Sequence, residues 1–184
     1  ALSSRVGKLI LSGGTALAIL GAFLSEKESS GRIVTTAYQD GKGIWTVCDG
    51  LTYYQGKAVY KGMQLSATQC ETENVRRQKE ALAWVQKRVA PGVTSNTSAP
   101  QLAGIASFCY WNLGPARCEK STFWKKLNEG QMRDACDEVK KWIHDGGKDC
   151  RIASNNCLGQ VSRRDDESAL ICWGLPPVNS RRHL

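Results

Sequence analysis

Metal-binding clusters are the first thing this sequence lacks. Its only histidines, His144 and His183, have no cysteine or histidine at ligand spacing, and no Cys-x2-Cys pair occurs, so a zinc site has nothing to hold it. No block of lysine and arginine interleaved with aromatics appears either, which argues against nucleic acid as a partner. No internal repeat and no second catalytic unit can be traced along the chain. The main apolar stretch falls short of the roughly 20 residues that a stable membrane span requires. Cysteine is absent from residues 1 to 47.

What is present suits one domain with a real core plus a short appendage: 184 residues, 41% of them hydrophobic. A formal charge of +8 attracts polyanions, and with nucleic acid set aside an acidic cell wall fits best. Cys48, Cys70, Cys109, Cys118, Cys136, Cys150, Cys157 and Cys172 make an even count, which points to disulfides formed in an oxidising compartment. Spacing alone does not fix their connectivity. The local pairs Cys48 with Cys70, Cys109 with Cys118 and Cys150 with Cys157 are the simplest.

Arg5 and Lys8 precede an uncharged run, Leu9 to Leu24, that ends at Glu26, Lys27 and Glu28. A basic flank, an apolar stretch and a charged stop have the layout of a signal or an N-terminal anchor. Ser12, Gly13, Gly14, Thr15 and Gly21 dilute the run, so its hold on a bilayer is weak. A cleaved signal peptide, a buried core helix and an anchor that later escapes the membrane all fit such a segment. No small-x-small pair follows the run, which disfavours cleavage.

Residues 38 to 46 read as two short strands around Gly41 and Gly43, with the positive φ of glycine closing a hairpin. The bend aims Asp40 and Thr46 into one cleft, although an ordinary surface hairpin has the same spacing. Downstream the pattern is helical. Ser66 to Gln69 can cap a helix over residues 71 to 89, with Val75, Leu82, Val85 and Val89 as its apolar face, and Pro91-Gly92 ends it. Further helices are expected over residues 101 to 111, from Ser121 onward, over 131 to 143 and over 162 to 172. Asn96-Thr97-Ser98 reads as a plain loop and the end of the chain, from Pro176-Pro177 to Arg181-Arg182, as frayed.

The pattern from Tyr38 through Asp40, Thr46 and Cys48 to Gly50 resembles the catalytic hairpin of phage lysozymes of the T-even type, and most closely that of lambdoid endolysins with a signal-anchor-release segment. The resemblance continues through Ser107-Phe108-Cys109-Tyr110-Trp111-Asn112-Leu113-Gly114, Ser121 to Gly130, Ala135-Cys136, Lys141-Trp142, Leu158-Gly159, Arg163-Arg164 and Cys172-Trp173-Gly174, covering nearly the whole chain in order. It implies a mostly helical α+β lysozyme-like fold with a small β-hairpin lobe beside the cleft, preceded by an apolar helical segment. The expected division is a signal-anchor-release segment over 1–25 and a catalytic domain over 26–184.

The implied activity is an inverting muramidase that hydrolyses the N-acetylmuramic acid to N-acetylglucosamine β-1,4 bond of peptidoglycan, lyses the host cell, and needs no metal or organic cofactor. Such an enzyme is expected to be a monomer, exported to the bacterial periplasm and tethered at first to the inner membrane. Without a cysteine before residue 48, no anchor thiol can block the site, so inhibition while tethered is steric or conformational. Glycoside hydrolysis needs a proton donor and a second carboxylate across the sugar. The resemblance gives Asp40 and Thr46 the handling of water. It also places the acid at a helix end with eight residues between it and the hairpin aspartate, which lands on Gly31. Ser29-Ser30-Gly31 reads as a three-residue insertion, since small polar residues extend a loop cheaply, and Glu28 then becomes the acid, with Glu26 as the alternative. Apolar walls around the acid would favour its protonated form. Trp45, Tyr53, Tyr54 and Trp111 are candidate sugar platforms. Two rivals remain: a lytic transglycosylase, which has no use for a water-holding pair, and a non-catalytic wall-binding module, suggested by Gly31.

Overall fold

The computed structural model of the protein describes residues 1–29 and 32–176. Ser30 and Gly31 of the expected Ser29-Ser30-Gly31 insertion, and the tail from Pro177, with Arg181, Arg182 and His183, lie outside the described residues.

The apolar helical segment expected at the N-terminus consists of two helices, α1 (Ser4–Leu11) and α2 (Ala16–Ser29). Ser3 caps α1, its hydroxyl accepting from the Val6 amide at 3.2 Å. The break between them is dictated by glycine: Gly13 has φ +76°, and a Cβ on Gly14 would come within 2.8 Å of the Leu9 carbonyl oxygen. No helix among the described residues is long and apolar enough to cross a membrane. Val6, Ile19, Leu20, Phe23 and Leu24 are instead buried in the main core. Residue 25, where the division was expected, falls inside α2, so the apolar segment and the helix end bearing Glu28 are one element.

Chain-order elements then build a small lobe. Strands β1 (Tyr38–Gln39) and β2 (Trp45–Thr46) form the expected hairpin, with Tyr38 opposite Thr46 and Gln39 opposite Trp45. Gly43, at φ +77°, closes its turn, because only a residue free of Cβ crowding sits there without cost. A second hairpin, β3 (Tyr53–Tyr54) with β4 (Lys57–Ala58), follows. The lobe has its own core of Val47, Cys48, Leu51, Val59, Leu65 and Cys70. So small a core gains from the Cys48–Cys70 disulfide, whose Cα atoms are 5.2 Å apart across 22 residues. Closing a loop of that length is worth about 3 kcal/mol in the chain-entropy account.

Helix α3 (Ala67–Arg88) connects the lobes, starting in a Ser66/Gln69 capping box. Its buried face follows the expected valine and leucine stripe only in its second half, where Val85 and, at the helix end, Val89 are buried and Leu82 packs on the main core. In the first half it runs through Cys70, Asn74 and Gln78, because Cys70 and Asn74 meet the hairpin lobe at Cys48 and Asp49 and Gln78 meets α2 at Gly21. Beyond it come α4 (Pro91–Thr94), α5 (Ala99–Ile105), a π-helical stretch over Ala106–Leu113, α6 (Pro115–Glu119) and α7 (Thr122–Asn128). Gly104 lets α5 lie against α9 (Leu158–Ile171), since a Cβ there would meet Ile171 Cγ1 at 2.8 Å. Helix α8 (Met132–Val139) stops short of Ile143. The chain turns there into a β5 (His144–Asp145) to β6 (Lys148–Asp149) hairpin around Gly146-Gly147, which cannot continue a helix at their positive φ.

All eight cysteines are paired. The three local pairs form as expected, and Cys136 joins Cys172 across 36 residues, linking α8 to the end of α9.

Candidate active site

The end of α2 meets α9 through Glu28 and Arg163 and the hairpin lobe at Gly50, and the candidate site is built there. Asp40 opens the hairpin turn, and its Oδ1 accepts from the amides of Lys42 at 2.8 Å and Ile44 at 2.9 Å. Those two bonds fix the carboxylate and leave Oδ2 without a protein partner among the described residues. Thr46 is buried, and its hydroxyl donates to the Ile44 carbonyl at 3.1 Å. With its proton committed, Thr46 Oγ1 can only accept from a ligand.

The structure separates the two glutamates proposed as acid. Glu26 turns toward α1, where its Oε1 accepts from the Ser3 hydroxyl at 2.9 Å. Glu28 turns toward the lobe: its Oε1 pairs with Arg163 Nη1 at 2.7 Å, and a Cβ on Gly50 would lie 3.9 Å from its Oε2. Gly50 has φ +78°, so neither backbone nor side chain there obstructs the carboxyl. The apolar walls expected around the acid are replaced by a guanidinium.

Arg163 is itself held from behind. Its Nε donates to Glu167 Oε1 at 3.2 Å, and Glu167 is fully buried. Ser107 Oγ donates to the same oxygen at 2.6 Å, and Arg164 pairs with the other. Arg164 also reaches Asn112 and the Trp142 carbonyl. Burial works against the charge of Arg163, but Glu167 and Glu28 outweigh it and push its pKa up. At Arg164 burial prevails over Glu167 and the pKa is lowered. This buried ionic cluster joins α9, the π-helical stretch and α2 at the one point where Glu28 emerges. Arg163 and Arg164 are 135 and more residues from Glu28, so no local pattern in the sequence connects them, and their only signal was a pair of adjacent arginines in a motif.

Arg77 is a second residue that sequence reasoning missed. Its guanidinium lies 4.2 Å over the Trp111 ring and donates to the Asp49 carbonyl at 3.1 Å. Burial lowers its pKa, while Glu28 and Asp49 act the other way. Asp49 is buried and accepts from Asn74 Nδ2 at 2.9 Å. Arg77 thereby links Trp111 to the lobe at Asp49. Trp45 packs on the lobe core, Tyr53 is exposed, and the Tyr54 hydroxyl accepts from Gln69 Nε2 at 3.3 Å. No group of three or more histidine, cysteine or acidic residues among those described could hold a metal ion.

The phage lysozyme family model matches residues 28–167, beginning at Glu28. The SAR-endolysin of Escherichia phage 933W is 52% identical over 174 residues, spanning 95% of this chain and 94% of its own. A probable prophage lysozyme of Escherichia coli strain K12 is 51% identical over the same length and shares. The solved endolysin from Escherichia coli O157:H7 phage FAHEc1 superposes with a TM-score of 0.66 at 25% identity, covering 88% of this chain and 93% of its own. The chain belongs to the phage lysozyme family, among its SAR-endolysins.

Proposed function

We propose that this peptidoglycan-cleaving glycosidase is an inverting muramidase, with Glu28 as proton donor and Asp40 and Thr46 as the pair that prepares the attacking water. The observation that carries the reading is Glu28 itself: it ends α2 facing Gly50, with one oxygen tied to Arg163 and the other beside open backbone. In the proposed reaction Glu28 gives its proton to the glycosidic oxygen as the C1–O bond breaks. A water donating to Asp40 Oδ2 and Thr46 Oγ1 attacks C1 from the opposite face, and Asp40 takes the proton released. Retention of both Asp40 and Thr46 supports hydrolysis over transglycosylation.

We infer export to the periplasm and tethering to the inner membrane through residues 1–25 before release, a reading that the name SAR-endolysin borne by its relatives supports, and action on the wall as a monomer. A segment that leaves a bilayer needs another apolar place, and the packing of Ile19, Leu20, Phe23 and Leu24 in the core supplies one.

Digestion of purified peptidoglycan followed by mass analysis of the fragments tests the chemistry: reducing ends support it, and 1,6-anhydro ends identify a transglycosylase. Glu28→Gln should abolish lysis, while Glu26→Gln should keep most of it. The reverse result would move the acid to Glu26.

A further inference from the structure

The hairpin offers a third polar side chain to the cleft. Tyr38 stands directly across the ladder from Thr46 and two positions before Asp40. Cross-strand partners and residues two apart share a face, with paired Cβ atoms roughly 5 Å apart, so Tyr38, Asp40 and Thr46 project together. Tyr38 is 38% exposed, and its hydroxyl has no hydrogen-bond partner among the described residues. The phenol nevertheless feels the charges of Glu28, Asp40 and Asp49, which places it within electrostatic reach of both proposed catalytic carboxyls.

The chemistry of the cleft leaves a role for it. Asp40 and Glu28 present carboxyl oxygens, and the Thr46 proton is spent on Ile44. A sugar brings ring, glycosidic and acetamido oxygens that can only accept, and each loses its hydrogen bonds to water on binding unless a donor replaces them. Resting on the glycosidase reading, we propose that the Tyr38 hydroxyl contacts substrate, donating a hydrogen bond to an acceptor oxygen of the sugar held between Glu28 and Asp40. Burial first, and then the carboxylates of Glu28, Asp40 and Asp49, push the Tyr38 pKa above its ordinary 10. The proton therefore stays on the phenol across the neutral range in which a periplasmic enzyme works.

Tyr38→Phe removes only the oxygen. Having no described protein partner to lose, the variant should melt with the parent, lyse walls about tenfold more slowly, and, in a Glu28→Gln background, bind a soluble N-acetylglucosamine oligomer about tenfold more weakly. Parental lysis by Tyr38→Phe beside an inactive Glu28→Gln overturns the proposal and leaves the glycosidase reading standing. An active Glu28→Gln removes Glu28 as the acid and overturns this proposal with it, since the sugar would then not be held between Glu28 and Asp40. A fall in activity matched by a fall in melting temperature overturns it too, since Tyr38 would then be acting through the fold.

Discussion

Replacing Gly21 by leucine tests the release of the N-terminal segment from two sides at once. In a bilayer the added side chain is retained by about 1.5–3 kcal/mol. In the folded enzyme the same position is occupied: a Cβ on Gly21 would lie 3.0 Å from Oε1 of Gln78, a residue only 5% exposed in α3. Overpacking of that kind costs about 1–3 kcal/mol. Both effects push toward the tethered form, and together they shift the equilibrium by roughly two to four orders of magnitude, at 1.4 kcal/mol for each tenfold. Gly7→Leu is the control. It lies in α1 at an ordinary φ with nothing within 4 Å of its Cβ, so it adds apolar area without straining the folded state. Time-resolved lysis, fractionation of membrane from soluble protein, and melting of the purified soluble form separate the two. Gly21→Leu should lyse late, stay in the membrane fraction and melt several degrees low, while Gly7→Leu should melt with the parent. Parental timing and solubility of Gly21→Leu would refute the release reading. Parental melting alone would show that α2 does not close on Gln78 as described.

Asp40→Asn keeps an oxygen for the Lys42 and Ile44 amides and should fold, yet lower wall lysis on the order of 10²-fold, and Thr46→Ala should do likewise; near-normal turnover by Asp40→Asn removes the hydrolase assignment. Arg163→Met leaves Glu167 short of a partner at 0% exposure, so a loss of about 3–5 kcal/mol is expected, read as a melting temperature lowered by roughly 6–20 °C; a shift within two degrees means that the buried cluster holds without it. Arg163→Lys keeps the charge but not the fork that spans Glu28 and Glu167, and should recover stability only in part. Alkylation of the unreduced active protein should add no label, and two labelled sites would contradict the four pairings.

How much of this was legible beforehand depended on how far apart the interacting residues lie. The hairpin at 38 to 46, the Ser66 capping box and the three short-range disulfides rest on glycine stereochemistry, side-chain to backbone bonds and small loops, all written within a few dozen consecutive residues. The break between α1 and α2 was foreshadowed by Gly13-Gly14, but the membrane-like layout of the run left a buried helix as only one of three readings, and its packing with α3, α5 and the π-helical stretch is set by the fold. The polar part of the buried face of α3 was missed because periodicity records apolar residues, and Asn74 and Gln78 are buried against Asp49 of the lobe and Gly21 of α2, which only the fold brings near. Glu26 and Glu28 are two residues apart and chemically identical, so nothing local distinguishes them. Their neighbours do: helical rotation sends Glu26 to Ser3 and Glu28 to Arg163 and Gly50. The sequence by itself determined the family, the hairpin that carries Asp40 and Thr46, and the oxidising setting of its cysteines. The tertiary structure decided that Glu28 rather than Glu26 meets Arg163 and the lobe at Gly50, because Arg163, braced by Glu167, reaches Glu28 only when α9 docks beside α2.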